Sequence, residues 1–109
     1  MGYQLEIYKT SNGKKPFDQW FKKLKDFNAK ALILARIDRI IKFGNFGDTG
    51  FVGDGISEWR FHIGPGYRVY YIECGARIVV ILCGGAKGSQ NKDIEKAKQY
   101  LLDFKKREM

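Results

Sequence analysis

The chain has 109 residues, with 20 Lys or Arg against 12 Asp or Glu and a formal net charge of +8. One domain spanning residues 1–109 is expected at this length, and the 44% content of hydrophobic residues excludes an intrinsically disordered chain. The two cysteines, Cys74 and Cys83, and the single His62 exclude a disulfide framework and a Cys/His zinc site, so neither a metal nor another cofactor is expected.

The positive charge favours polyanionic partners, nucleic acid above all, through long-range attraction and counterion release. No apolar stretch approaches the roughly 20 residues that a membrane span requires. The first residues, Met1 to Lys9, alternate charged and apolar side chains and lack the apolar core of a signal peptide. We therefore expect a cytoplasmic protein without a membrane partner.

The first half of the chain predicts a strand and two helices. Tyr3 to Tyr8 alternate apolar and polar residues, as in a strand that is buried on one face. After Pro16, apolar residues recur at helical spacing as far as Phe27, and a second helix runs from Ala29 to the stop at Gly44. The glycine-rich segment from Asn45 to Gly55 is predicted to be a loop.

The second half predicts three antiparallel strands and a closing helix. The strands are Ile56 to Ile63, Tyr67 to Glu73 and Ala76 to Cys83, and they are joined by Gly64-Pro65-Gly66 and Cys74-Gly75. The closing helix carries an apolar stripe formed by Ile94, Ala97, Leu101 and Phe104. The expected fold is therefore α+β in the order βααβββα, with a helical hairpin on one face of a mainly antiparallel sheet and the other face open.

The predicted register places a basic cluster on that open face. A three-residue turn at 64–66 sets His62 opposite Arg68 and Arg60 opposite Tyr70, and a two-residue turn at Cys74-Gly75 sets Val69 beside Val80 in the core. Arginines can hold a phosphate, and His and Tyr can move protons during its transfer. A solvated face, with Glu58 paired to Arg60, explains the same residues without chemistry.

Two further features follow the last strand. Gly84-Gly85-Ala86-Lys87 leads into the closing helix, where backbone N–H groups favour an anion and Lys87 adds charge. The spacing matches neither a dinucleotide fingerprint nor a phosphate-binding P-loop. The sequence favours the simpler interpretation, a flexible turn with a helix cap at Ser89 or Asn91.

Two segments carry a resemblance to a known family. Trp59-Arg60-Phe61-His62-Ile63-Gly64-Pro65-Gly66-Tyr67-Arg68-Val69-Tyr70-Tyr71, together with Leu82 to Ala97, resembles toxins of the RelE/HigB-like group in the RelE/ParE superfamily, the addiction module killer proteins. The resemblance implies a toxin of a type II toxin–antitoxin module. The better-studied members act as ribosome-dependent mRNA endonucleases that inhibit translation, and a cognate antitoxin, expected to be a helix-turn-helix protein, binds them.

In the chemistry that the resemblance implies, the ribose 2′-OH attacks the adjacent phosphate without a metal. Arg68 matches the arginine that contacts the scissile phosphate, and His62 and Tyr70 are the candidate proton carriers. Arg60, Lys87 and Lys92 are the candidate RNA and phosphate ligands.

The chain departs from the family pattern at two positions. Gly88 stands where the founding toxin has a catalytic arginine, and Ile94 stands where it has a catalytic tyrosine. Three functions therefore stay open: an endoribonuclease toxin, a ParE-like poison of DNA gyrase, and a non-catalytic relic that keeps antitoxin binding.

Overall fold

The computed structural model describes residues 2–108. Its elements follow in the order β1 (Gln4–Ile7), α1 (Pro16–Lys23), α2 (Phe27–Phe43), β2 (Thr49–Gly53), β3 (Ile56–Phe61), β4 (Tyr67–Glu73), β5 (Ile78–Ala86), a 3-10 turn (Lys87–Ser89) and α3 (Gln90–Glu108). The strands form one sheet in the order β1-β5-β4-β3-β2, in which β1 runs parallel to β5 and the other neighbours are antiparallel. The predicted α+β class, the helical pair and the β3-β4-β5 meander are confirmed.

The two helices of the hairpin are bounded by local signals. Pro16 stands in the first turn of α1, where a missing N–H costs nothing. The backbone is extended at Leu24, so α1 ends at Lys23 rather than continuing to Phe27 as predicted. The Asp26 carboxylate accepts a hydrogen bond of 3.0 Å from the Ala29 N–H and thereby starts α2 at Phe27. Gly44 takes a left-handed conformation with φ 69° and ends α2.

The prediction of a loop over residues 45–55 is wrong, because Thr49–Gly53 forms the edge strand β2. This strand pairs with β3, and a tight turn with positive φ at Asp54 and Gly55 joins the two. Gly50 has a packing role in β2, since a Cβ atom there would lie 2.1 Å from a guanidinium nitrogen of Arg60. The glycine content of this segment therefore reflects close packing as well as turns.

Both predicted registers are wrong, with different consequences. In the β3-β4 pair Arg60 lies opposite Arg68, so the connection at residues 62–66 is two residues longer than predicted. A shift of two leaves each side chain on its predicted face. In the β4-β5 pair Val69 lies opposite Gly84, and Tyr71 lies opposite Ile81. The half of the ladder next to the connection is shifted by three residues, which moves Val80 to the other face, and the half that contains Val69 is shifted by four.

β5 also continues to Ala86, three residues beyond its predicted end, so the two glycines at 84 and 85 belong to a strand and not to a turn. A bulge separates the two halves of the β4-β5 ladder, between the partners of Tyr70 and Tyr71.

Each face of the sheet carries a core. The face under α1 and α2 is largely aromatic, and its buried residues are Phe17, Ala29, Ile33, Ile40, Trp59, Phe61, Tyr67, Val69, Tyr71, Val79 and Ile81. The face under α3 buries Tyr8, Ile56, Tyr70, Ile72, Val80, Leu82, Cys83, Ala97, Leu101 and Phe104. The prediction that the second face is open is therefore wrong over most of its area, because the apolar stripe of α3 packs on it.

Polar contacts tie the end of α3 to the end of β1. The Tyr8 hydroxyl donates a 2.5 Å hydrogen bond to the Asp103 carboxylate, which the Arg107 guanidinium also contacts at 2.7 Å. Burial, with Asp103 nearby, raises the pKa of Tyr8 to about 12. Within residues 2–108, no helix combines the length and apolarity needed to cross a membrane.

Candidate functional site

Two arginines lie side by side where β3 and β4 approach the start of α3. Arg60 and Arg68 are directly opposite each other across the ladder, an arrangement in which like charges repel. The Glu58 carboxylate removes the conflict, because its Oε2 atom accepts hydrogen bonds from Arg60 Nε at 2.9 Å and Arg68 Nη1 at 2.5 Å. The Glu58–Arg60 pair of the alternative interpretation is present, but its Glu58 side chain is buried and not part of a solvated face.

Glu58 is the buried centre of this polar cluster, with 3% of its side chain exposed. Its second oxygen accepts a hydrogen bond of 3.3 Å from Gln90 Nε2 at the start of α3. Burying a carboxylate is costly unless cations and hydrogen bonds satisfy both oxygens, and these three partners do so. The contacts join two strands of the sheet to α3.

A second carboxylate, Asp48, lies just before β2 and extends the cluster outward. Its oxygens contact Arg60 Nη1 at 3.3 Å and His62 Nε2 at 2.6 Å. These contacts, the hydrogen bond from His62 first and that from Arg60 next, hold the pKa of Asp48 below its ordinary value. The His62 side chain is 72% exposed, so Asp48 orients an imidazole that solvent and ligands can reach.

A groove of about 200 Å³ opens beside this pair. We call it the α2 groove; it is lined by Leu32, Ala35, Arg36, Arg39, Asp48, Arg60, Phe61 and His62. Arg36 stacks 4.9 Å from the Phe61 ring centre and donates a 3.0 Å hydrogen bond to the Phe46 carbonyl. Burial lowers the pKa of Arg36, although its guanidinium remains charged at neutral pH. Three arginines and one carboxylate thus face the same opening as His62.

The structure brings three of the six predicted site residues together, namely Arg60, His62 and Arg68. Arg68 is only 13% exposed and is paired with Glu58, so the prediction that it lies on a solvent face and contributes little to packing is wrong. Arg60 bridges the two carboxylates and lines the α2 groove.

Tyr70 is fully buried under α3, so its expected place on an open face is wrong. Its hydroxyl has no hydrogen-bond partner among residues 2–108. Burial and then the nearby Glu58 and Asp93 carboxylates raise the pKa of Tyr70. A substrate in the α2 groove cannot reach this hydroxyl in the conformation described.

Lys87 and Lys92 lie apart from the arginines, along an exposed surface at the start of α3 that residues 87–92 line. The Lys87 N–H donates a 2.9 Å hydrogen bond to the Gly66 carbonyl and so fixes the β3-β4 connection to this end of the molecule. A Cβ atom at Gly88 would meet nothing within 4 Å, and Ile94 packs against the core under α3. Neither position supplies the arginine or the tyrosine of the founding toxin.

Sequence reasoning missed Asp48, Arg36, Arg39 and Gln90. The period of α2 indicates which of its arginines are polar positions but not which of them face a groove. Asp48 stands in a glycine-rich segment that was interpreted as loop, so its place beside His62 depends on β2 pairing with β3. Over the described part of the chain, no group of three or more His, Cys, Asp or Glu side chains is arranged to hold a metal ion.

Comparison with known proteins adds one relative. No family model matches the chain. An uncharacterized protein of Haemophilus influenzae is 54% identical over 82 residues, which cover 75% of this chain and 82% of that protein.

Proposed function

The chain belongs to one family with this Haemophilus influenzae protein, and we propose that it is the toxin of a toxin–antitoxin module and cleaves mRNA at the ribosome without a metal. The proposal places the protein in the cytoplasm, where mRNA and a cognate antitoxin are its partners. One observation supports it above the others. An exposed imidazole, oriented by a carboxylate, shares the α2 groove with three arginines.

The groove suits a phosphodiester. Arg39 offers a guanidinium group that can hold two non-bridging oxygens of a phosphate through a pair of hydrogen bonds, and Arg60, whose Nε and Nη1 atoms bind carboxylates, adds positive charge beside it. His62 lies at the same opening and can accept a proton from the neighbouring 2′-OH. Asp48 fixes the orientation of the ring through its 2.6 Å contact with Nε2 and leaves Nδ1 as the nitrogen that can take the proton.

The proposed reaction is balanced without a cofactor. The 2′-oxygen loses its proton to His62 and forms a bond to phosphorus, while the bond from phosphorus to the 5′-oxygen breaks. The leaving 5′-oxygen takes a proton from water, and the protonated His62 returns its proton to the resulting hydroxide, so no net proton is gained or lost. The products are a 2′,3′-cyclic phosphate and a 5′-OH end. The arginines stabilise the additional negative charge on the phosphate oxygens in the transition state.

Arg68, Lys87 and Lys92 take supporting roles in this proposal, and the buried Tyr70 takes none. Arg68 acts through Glu58 as a positioning residue, because it holds the carboxylate that orients Arg60. Lys87 and Lys92 extend the positive surface beyond the β3-β4 connection and supply contacts to the RNA backbone. Such contacts position an RNA strand but do not select its sequence, and they weaken as salt concentration rises.

The test is induction of the chain followed by primer extension on cellular mRNA and single-turnover cleavage on programmed ribosomes. We expect discrete new 5′ ends from the wild type and a loss of about 10² to 10⁴ in cleavage rate for His62→Gln, as for removal of a proton-transfer group. Lys22→Gln is the matched control, because Lys22 is exposed on α1 and lies outside the α2 groove. This control should cleave at the wild-type rate.

Two other outcomes distinguish the alternative functions. Growth arrest with gyrase-linked DNA breaks and without new mRNA ends would identify a gyrase poison. A chain that binds its antitoxin but arrests nothing would be the non-catalytic relic. A small helix-turn-helix protein encoded beside this gene supports the module itself, and its association with this chain of net charge +8 should slow as salt rises.

A further inference from the structure

Among residues 2–108, no strand pairs with one stretch of β5 on its outer side. The parallel β1-β5 ladder ends where Ile7 pairs with Ile81, and the Tyr8 N–H donates the last hydrogen bond to the Ile81 carbonyl. β5 continues for five more residues, Leu82–Ala86; the last four pair with β4 on the inner side, and Leu82 lies at the bulge. Alternate residues of such a strand direct their N–H and C=O groups outward, where a further strand can bind them.

A groove of about 460 Å³ runs along this unpaired edge. We call it the β5 edge groove; its floor is residues 83–86, one wall is Pro16, Gln19, Trp20 and Lys23 of α1, and the other is Ser89, Asp93, Lys96 and Tyr100. The two glycines of the floor are required by packing. A Cβ atom at Gly84 would lie 2.5 Å from the Trp20 ring, and one at Gly85 would lie 1.9 Å from the Asp93 carboxylate.

The walls determine what can reach the edge. Because α1 and α3 flank the strand, a second sheet cannot approach it side by side, whereas one extended segment can lie between the helices. Lys23 and Lys96 are exposed at the two rims. Asp93, the acidic residue of the groove, is largely buried and accepts a 2.6 Å hydrogen bond from the Ser89 hydroxyl. The rims therefore attract negative charge.

We propose that the β5 edge groove binds an extended acidic peptide segment of another protein, which adds a strand to the sheet beside Leu82–Ala86. Backbone hydrogen bonds give the binding, and Lys23 and Lys96 select acidic side chains at the rims. A second copy of this chain is disfavoured as the occupant because both copies carry +8. The site is separate from the α2 groove, so the proposal does not depend on RNA cleavage.

The probe is the blocked pentapeptide Glu-Val-Glu-Val-Glu, titrated into the full chain while backbone amide shifts are followed by NMR. We expect saturable shifts centred on Gly84 and Gly85. Two matched peptides test the mode: one with N-methylated valines, which cannot complete a strand ladder, and one with Lys in place of each Glu. Both should bind at least roughly tenfold more weakly, since an extra 1.4 kcal/mol corresponds to tenfold.

Variants of the chain test the rims. The double variant Lys23→Glu, Lys96→Glu should weaken binding of the acidic peptide by roughly tenfold or more, because each rim contact changes from attraction to repulsion. Lys22→Glu makes a similar charge change on α1 outside the groove and should leave binding within about twofold. Equal binding of the N-methylated peptide, or shifts that centre on another surface, would overturn the proposal. So would a single-stranded uridine pentanucleotide that displaces the peptide from the same amides.

Discussion

The polar cluster around Arg60 has two halves that differ in their exposure to solvent. His62 and Asp48 form the open half, where the imidazole is 72% exposed and lines a groove. Glu58 and Arg68 form the buried half, with 3% and 13% of their side chains exposed. Arg60 contacts both carboxylates and connects the halves. The predicted sheet face is the same for both halves, and contact with the start of α3 distinguishes the buried half from the exposed one.

The largest effect is expected in the buried half, from Glu58→Ala. This change leaves Arg68 covered and without its carboxylate, and removing one member of a buried ion pair costs about 3 to 5 kcal/mol. Urea unfolding should show this loss in the free energy of unfolding. Glu73→Ala, at the exposed end of β4, is the control and should stay within about 0.5 kcal/mol of the wild type. A cost below 1 kcal/mol for Glu58→Ala would show that the cluster is not structural.

Arg68→Ala should destabilise by a smaller amount, about 1.5 to 3 kcal/mol, because Glu58 keeps Arg60 and Gln90 as partners. The double variant with Glu58→Ala should lose less free energy of unfolding than the sum of the two single variants, because neither member of the pair then stays buried without the other. Additive costs in this double-mutant cycle would contradict the pairing.

The pH dependence of stability should separate the open half from the rest. The pKa of Asp48 is lowered in the folded chain, so its contribution is present above the ordinary carboxyl value of 3.8 and is lost as pH falls through the folded value. We expect Asp48→Asn to be less stable than the wild type at pH 6 and to converge with it as pH falls below 3.8. Denaturant midpoints measured from pH 6 to pH 2 check this, and a difference that persists unchanged to pH 2 would refute it.

The smallest change in stability is expected for His62→Gln. The side chain is mostly exposed, and such substitutions shift unfolding by no more than about 0.5 kcal/mol. The thermal midpoint should therefore match that of the wild type although the proposed cleavage is lost. A large destabilisation would show that His62 supports the fold, and a loss of cleavage in this variant could then not be assigned to proton transfer.

The β3-β4 and β4-β5 ladders show when a sequence pattern is sufficient to assign side chains to the faces of a sheet. The prediction for the β3-β4 pair was two residues out, yet every side chain kept its face, because strand alternation has a period of two. In the half of the β4-β5 ladder next to the connection, the error of three placed Val80 on the wrong face, because the connection at 74–77 is longer than two residues. The bulge in β5 makes the error four in the other half. Turn length and bulges depend on how the strands pack together.

Local chemistry in the sequence determined the elements: the alternation of β3 and β4, the period of α2, its stop at Gly44, and the shared face of Arg60 and Arg68. Only the tertiary structure decided that α3 buries Glu58 and Tyr70. It also brings Asp48 beside His62 and lets β5 extend beyond the end of β1. The reason is physical. Periodicity and capping act between residues a few positions apart, whereas burial and carboxylate–imidazole contacts join residues that only the completed sheet brings together.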